Sequence, residues 1–280
     1  MRHIIYHINI AILLAIGLLP LIYGCSANQS RQVPSATTES VADDWIHLFN
    51  GQDLDDWIAK IHHYEPGDNF GKTFRVEDGM IKVRYDDYGE DFDDRFGHLF
   101  YKTPFSHYHL IVEYRFTGSL FPGAPDYTLL NSGVMFHSQD PYSILKEQNW
   151  PISIELQFLA GLGDGKSRAT GNMCSPGTHV YYRDKLMEDH IIESSAATYD
   201  KDDWVRAELI VLGDSLITHI IEGDTVLQYT KPQIGGGVVE RFDPNVKIDG
   251  TPLKEGYIAL QSEGQPIDFR RVDLKLLNQD

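Results

Sequence analysis

The stretch from Trp150 to His179 holds the densest set of side chains in this sequence that could handle protons or hydroxyl groups. It opens on strict alternation. Ile152, Ile154, Leu156 and Phe158 fall on one side, and Ser153, Glu155 and Gln157 on the other. A period of two residues marks a strand with one apolar and one polar face. Glu155 and Gln157 then project together from one face of a sheet. The glycine-rich loop that follows brings Thr170, Asn172, Cys174 and His179 into the neighbourhood. A carboxylate beside amides, hydroxyls and an imidazole has the means to move a proton and to hold a hydroxylated ligand. The expectation is a sugar site with this strand as its floor and the loop as one wall.

Positioning such a site needs sheets, and the sequence supplies strands almost throughout. Asp78-Gly79 sits between Phe74–Val76 and Met80–Val83, a strong two-residue hairpin signal. Leu110, Val112, Tyr114 and Phe116 alternate with Ile111, Glu113 and Arg115. Val134 and Phe136 oppose Met135 and His137, and Ala207, Leu209 and Val211 oppose Arg206, Glu208 and Ile210. A second hairpin is centred on Glu222-Gly223-Asp224, and Gly256–Ser262 and Ile267–Leu276 close the chain. No long apolar pattern of period 3.6 occurs after the first two dozen residues. Many short alternating strands separated by turns predict an all-β sandwich, with one polar face left to curve into a cleft.

Several chemistries are excluded by spacing. There is no His-Glu-x-x-His and no cysteine pair, so no zinc site is predicted. No Gly-x-Ser-x-Gly elbow joins a strand to a helix, and no dinucleotide fingerprint is present, so no cofactor is expected. The formal net charge of −17 argues against nucleic acid and anionic lipid surfaces as partners. Acidic loops such as Glu90–Asp94 match no EF-hand spacing and read as solvated surface.

Residues 1–24 read as a secretory signal, with Arg2 ahead of an apolar run. Gly24-Cys25 resembles a lipobox, which predicts cleavage before Cys25 and its acylation. Residues 25–43 are polar and read as a flexible tether, and residues 44–280 as the folded domain. The protein is expected in the cell envelope, touching membrane only through its lipid. With Cys25 acylated, Cys174 is left without an intrachain partner, as a packing residue or a site thiol.

Spread along the domain are Leu48-Phe49-Asn50-Gly51 with Leu54 and Trp57, and Val76-Glu77-Asp78-Gly79. Asn131-Ser132-Gly133-Val134-Met135-Phe136, Glu155-Leu156-Gln157, Thr170-Gly171-Asn172 and Trp204 follow, then Gly256-Tyr257-Ile258-Ala259-Leu260-Gln261 and Phe269-Arg270. In this order the segments resemble the 3-keto-disaccharide hydrolase domain family over about Trp45 to Leu277. One departure is His137, where many members carry arginine. The resemblance implies a concanavalin A-like jelly roll of two antiparallel sheets, and a glycoside substrate oxidised to a ketone at C3 by a separate oxidoreductase. Such a ketone acidifies C2–H, so a base can remove that proton and the C1 substituent can leave. This route needs a base at C2, donors at the C3 oxygen and an acid at the glycosidic oxygen.

Residues are available for each task. Glu155 is the first candidate for the base, or for holding a sugar hydroxyl, and Glu263 for the second carboxylate. His179 and His137 are candidates for oxyanion donor or proton shuttle. Gln157 would bind a hydroxyl or the ketone. Asn131, Asn172 and Gln261 complete the substrate contacts, and Arg270 would neutralise an acid or simply pair with Glu113. A non-catalytic carbohydrate-binding sandwich is the competing expectation, since fold does not decide between the two.

Overall fold

The computed structural model describes residues 44–278. The expected signal, tether and acylated Cys25 lie outside the described residues. Two antiparallel sheets pack face to face as a jelly-roll sandwich. One has seven strands, in the spatial order Ile191–Ile192, Asn172–Cys174, Ile154–Leu159, Asn131–Ser138, Tyr257–Ser262, Gly97–Tyr101 and Trp57–Ile61. The other has ten. At its centre Val205–Leu212, His107–Phe116 and Ile267–Leu276 lie side by side, and Thr178–Tyr182 and Lys185–Met187 form one edge.

Both Asp-Gly and Glu-Gly turns form as the residue types require. Asp78 and Gly79 have φ of 53° and 71°, and Glu222 and Gly223 have 51° and 89°. Two successive positive φ values give the turn whose twist matches an antiparallel pair.

The apolar side of the Glu155 strand faces the other sheet. Phe158 stacks on Tyr114 with ring centroids 3.9 Å apart, and Tyr114 Oη hydrogen-bonds Thr170 Oγ1 at 2.8 Å. Thr170 is fully buried in this contact, so it braces the sandwich core. Ile154, Leu156, Val134, Phe136, Val112 and Leu209 are buried with them. Removing one such side chain from water contributes roughly 1.5–3 kcal/mol, which makes this layer the fixed base of the opposite face.

Three local features divert side chains from the simple alternation. His137 has φ of 46° at a register shift between its strand and Tyr257–Ser262. Gly256 packs against it so closely that a Cβ would sit 2.5 Å from His137 Cα. Arg270 stands unpaired at another shift, between Phe269 opposite Tyr114 and Arg271 opposite Glu113. Finally, the chain leaves the seven-stranded sheet after Cys174 and enters the ten-stranded sheet at Thr178, through a turn containing Gly177 at φ of 66°.

Candidate active site

A pocket of about 490 Å³ opens on the outer face of the seven-stranded sheet. Its floor follows from strand register. Asn172, Gln157 and Gly133 lie opposite one another across three strands. Gln261 lines the pocket too, and lies opposite His98, itself opposite Lys60, neither of which lines it. One row further along, Met135, Glu155 and Cys174 are aligned. Glu263 follows Gln261 by two residues and lines the same pocket. Walls come from Trp150, Tyr127, Arg168 and His190.

The strand Ile154–Leu159 is buried on both faces, not half-exposed as simple alternation suggests. Glu155 is 6 % exposed and Glu263 4 %. Space for the Glu155 carboxylate comes from Gly133. A Cβ there would lie 2.4 Å from Glu155 Oε1, so the carboxylate rests over the bare backbone of the neighbouring strand.

The amides form a connected chain. Asn172 Nδ2 donates to Gln157 Oε1 at 3.0 Å, and Gln157 Nε2 to Asn131 Oδ1 at 3.3 Å. The ends are tied to backbone: Asn131 Nδ2 donates to Tyr127 O, and Ser194 N donates to Asn172 Oδ1. Polar atoms on the far side of the Asn131 strand are left over. Glu263 Oε2, Gln261 Oε1 and His98 Nε2 are buried without a hydrogen-bond partner. Orphaned buried polar atoms are costly, and several in one place suit a ligand that completes them.

The electrostatics set the two carboxyl groups apart from ordinary surface acids. Burial pushes Glu155 well up, and Glu263 adds to the shift. Burial raises Glu263 as well. Neighbouring carboxylates stripped of water cannot both ionise readily, so the pair retains a proton at neutral pH. Burial, then Glu155 and Glu263, keep the Cys174 thiol protonated. Burial, with the Lys60 ammonium adding, pushes His98 down to about 3. His190 is lowered by burial, and its Nδ1 accepts from Ser175 N at 3.3 Å. The same Ser175 N–H also donates to His190 O at 3.0 Å, which holds the ring at the pocket wall.

The raised carboxyl pair gives stability a sign with pH. Below about pH 4.3 a glutamate is protonated in both folded and unfolded chains. Above that the unfolded chain ionises while the folded pair stays protonated. Stability conferred by the pair is therefore complete at low pH and is lost as pH rises through neutrality, at up to about 1.4 kcal/mol per pH unit for each group. Urea unfolding at several pH values will show this slope, and Glu263→Gln will reduce it. An unchanged slope in the variant would mean that Glu263 is not buried with a raised pKa.

Of the residues singled out by sequence, Asn131, Glu155, Gln157, Asn172, Gln261 and Glu263 all line the pocket. His137, His179 and Arg270 do not. The bulge turns His137 toward the other sheet, where its Nε2 lies 3.0 Å from Gly213 O and burial pushes it down to about 4. The turn at Gly177 carries His179 to the ten-stranded sheet, where Gly235 and Gly236 pack against its ring. Arg270 is exposed on that sheet, paired with Glu113 and lying 4.3 Å from the Trp204 ring. In their stead the pocket gains Arg168 and His190, which sit in segments with no strand pattern to flag them.

The model of the 3-keto-alpha-glucoside-1,2-lyase-like domain matches residues 44–275. This chain belongs to that family. Among solved structures, it is similar to two Parabacteroides distasonis ATCC 8503 proteins assigned as glycosyl hydrolases. The first is 16 % identical, covers 84 % of this chain and 94 % of its own, and superposes with a TM-score of 0.51. The second is 15 % identical, covers 83 % and 99 %, and gives 0.49. At these identities the likeness is one of fold. No curated protein matches the lyase-like domain in sequence.

Proposed function

We propose that this domain cleaves the glycosidic bond of a 3-keto-glycoside by elimination. The observation that carries the reading is the buried Glu155–Glu263 pair, raised in pKa and set beside unpartnered polar atoms in a pocket of sugar size. One carboxylate and one carboxylic acid are what the reaction requires. In the form of the pair that carries its one proton on Glu263, Glu155 takes the proton from C2, and the C–H electrons form the enediolate with the C3 oxygen. Expulsion of the C1 oxygen follows as Glu263 gives that oxygen its proton. The products are an alcohol and an unsaturated keto sugar, to which water can add. Glu155 now holds the proton and Glu263 the charge, so transfer within the pair restores the starting state.

Pocket amides and the His190 imidazole are the donors available to the C3 oxygen. Each well-aimed donor to a developing oxyanion contributes about 3 kcal/mol. The ordinary glycosidase route fits less well, because the neighbour two residues along the strand is Gln157, which cannot serve as nucleophile or base.

The test is aglycone release from a 3-keto-glucoside and from its unoxidised parent, in deuterated water. Release from the keto sugar alone, with the C2 hydrogen lost and deuterium at C2 only in product to which water has added, is the expected result. Equal cleavage of both sugars would mean a conventional glycosidase, and binding without cleavage a carbohydrate-binding module.

This reading also assigns C3 oxidation to a separate oxidoreductase and the domain to the cell envelope, held by lipid on Cys25. The Gly24-Cys25 pattern and the missing dinucleotide fingerprint support it. Labelled palmitate should enter the wild-type protein and not Cys25→Ser, and equal labelling would reject the anchor.

A further inference from the structure

Outside the pocket, three segments meet at the edge of the seven-stranded sheet. They are the turn after Trp57–Ile61, the loop before Gly97–Tyr101, and the loop running toward Trp150. His62 N donates to Phe96 O at 2.8 Å, and His63 N to Lys146 O at 3.0 Å. His62 and His63 stack with ring centroids 3.8 Å apart. His63 adopts φ of 74°, a left-handed conformation uncommon outside glycine and found often at functional positions. Each of His62, His63 and Glu147 presents a donor atom within 4.8 Å of the other two.

The decisive feature is the setting of the His62 ring. Its Nδ1 lies 2.9 Å from Asp94 O, and its Nε2 lies 3.2 Å from Glu147 O. A neutral imidazole carries one N–H, so it cannot donate to both carbonyls. The shorter contact takes the proton. Nε2 is then a bare lone pair held against a carbonyl oxygen, an arrangement that calls for a cation. A histidine whose other nitrogen donates to a backbone carbonyl is also the usual support of a metal ligand.

We propose that His62, His63 and Glu147 bind one divalent transition-metal ion of the zinc or cobalt class, which fastens the loop leading to Trp150 to the sheet edge. Metal bonds of about 2.0–2.2 Å put neighbouring ligand atoms roughly 2.8–3.5 Å apart. His63 Nδ1 and Glu147 Oε2 are already 2.8 Å apart. The exposed Arg241 guanidinium, 3.9 Å from the same carboxylate oxygen, is the cation the metal displaces. Lys60 Nζ, bonded to Lys146 O at 3.3 Å, is the like charge the ion must tolerate. Two imidazoles and a carboxylate suit zinc or cobalt better than calcium.

None of the three ligands lines the pocket, so the ion acts on its wall. Gln148, next to Glu147, donates to Trp150 O at 2.8 Å. The Trp150 ring lies 4.5 Å from that of Phe96, whose carbonyl accepts from His62. The inference does not depend on the keto-glycoside reading.

The test is titration of chelator-treated protein with Co²⁺. One equivalent should give d–d absorption in the visible, which Zn²⁺ then bleaches. His62→Ala and His63→Ala should each weaken binding beyond the 10–100-fold typical of losing an outer-shell partner (about that range). Metal should also raise the melting temperature of the wild type and leave that of either variant unchanged. Absence of d–d absorption in the wild type, or equal titration of the variants, would overturn the site. Because the wild-type titration decides first, a variant that fails to fold leaves the proposal falsifiable.

Discussion

Glu155→Gln should abolish turnover of a 3-keto-glucoside while leaving the sandwich at least as stable as the wild type. Removal of a positioned general base costs about 10²–10⁴-fold in rate. The amide keeps the shape of the side chain over Gly133, so binding should survive. Stability should respond in the opposite direction to activity. The Glu155 carboxyl is raised because burial disfavours its charge, so its folded pKa lies above its unfolded value. Such a group opposes folding increasingly as pH climbs above the ordinary carboxylate range. Replacing it with a neutral amide removes that opposition, and the variant should gain relative to wild type on going from pH 5 to pH 8 (about that span). The wild-type rate should follow the same titration. It should rise with pH as the pair gives up its first proton and fall again once the acid partner ionises, in the bell shape of a coupled pair. Turnover retained within about tenfold of wild type would remove Glu155 from the role of base.

The parts of the site that sequence reveals are those encoded within a strand. The Glu155–Gln157 spacing, the apolar partners at Ile154, Leu156 and Phe158, and the two-residue turns at Asp78-Gly79 and Glu222-Gly223 depend on neighbours in the chain. Each appears where local rules put it. Asn131, Asn172, Gln261 and Glu263 also arrive at the pocket, because short strands on one sheet carry them. What local pattern does not encode is strand pairing. The row Gln261, His98 and Lys60 exists only because Gly97–Tyr101 lies between two other strands. That strand is buried on both faces, so it shows no alternation to mark His98. Pairing irregularities explain the displaced residues. A one-residue slip reverses which face a side chain takes. His137 and Arg270 stand at such slips, and each finds partners away from the pocket. His179 is separated from its sequence neighbours by a change of sheet, which the Ser175-Pro176-Gly177 turn permits without announcing.

Gly133→Ala should reduce activity nearly as much as loss of Glu155 itself, through a methyl group that touches no substrate. The added Cβ would lie 2.4 Å from Glu155 Oε1, 2.7 Å from Cγ and 2.9 Å from Cδ. All three are too close, so the Glu155 side chain must leave its position. Alanine costs the backbone nothing here, because Gly133 is a strand residue without a positive φ. The stability penalty should therefore be that of local overpacking, about 1–3 kcal/mol. A base displaced by roughly 1 Å loses about 10²-fold in rate, which leaves a folded protein with little turnover. Glu155→Asp separates this account from general damage to the sheet. Alone, the shorter side chain should impair catalysis by withdrawing the carboxylate. Combined with Gly133→Ala it sheds the closest contact, at Oε1, and keeps the one at Cγ, so the double variant should be less impaired than the two single losses multiplied together. Residues in contact are expected to couple in this way, by about 0.5–3 kcal/mol. Multiplicative losses in the double variant would show that Gly133 serves the sheet and not the carboxylate lying across it.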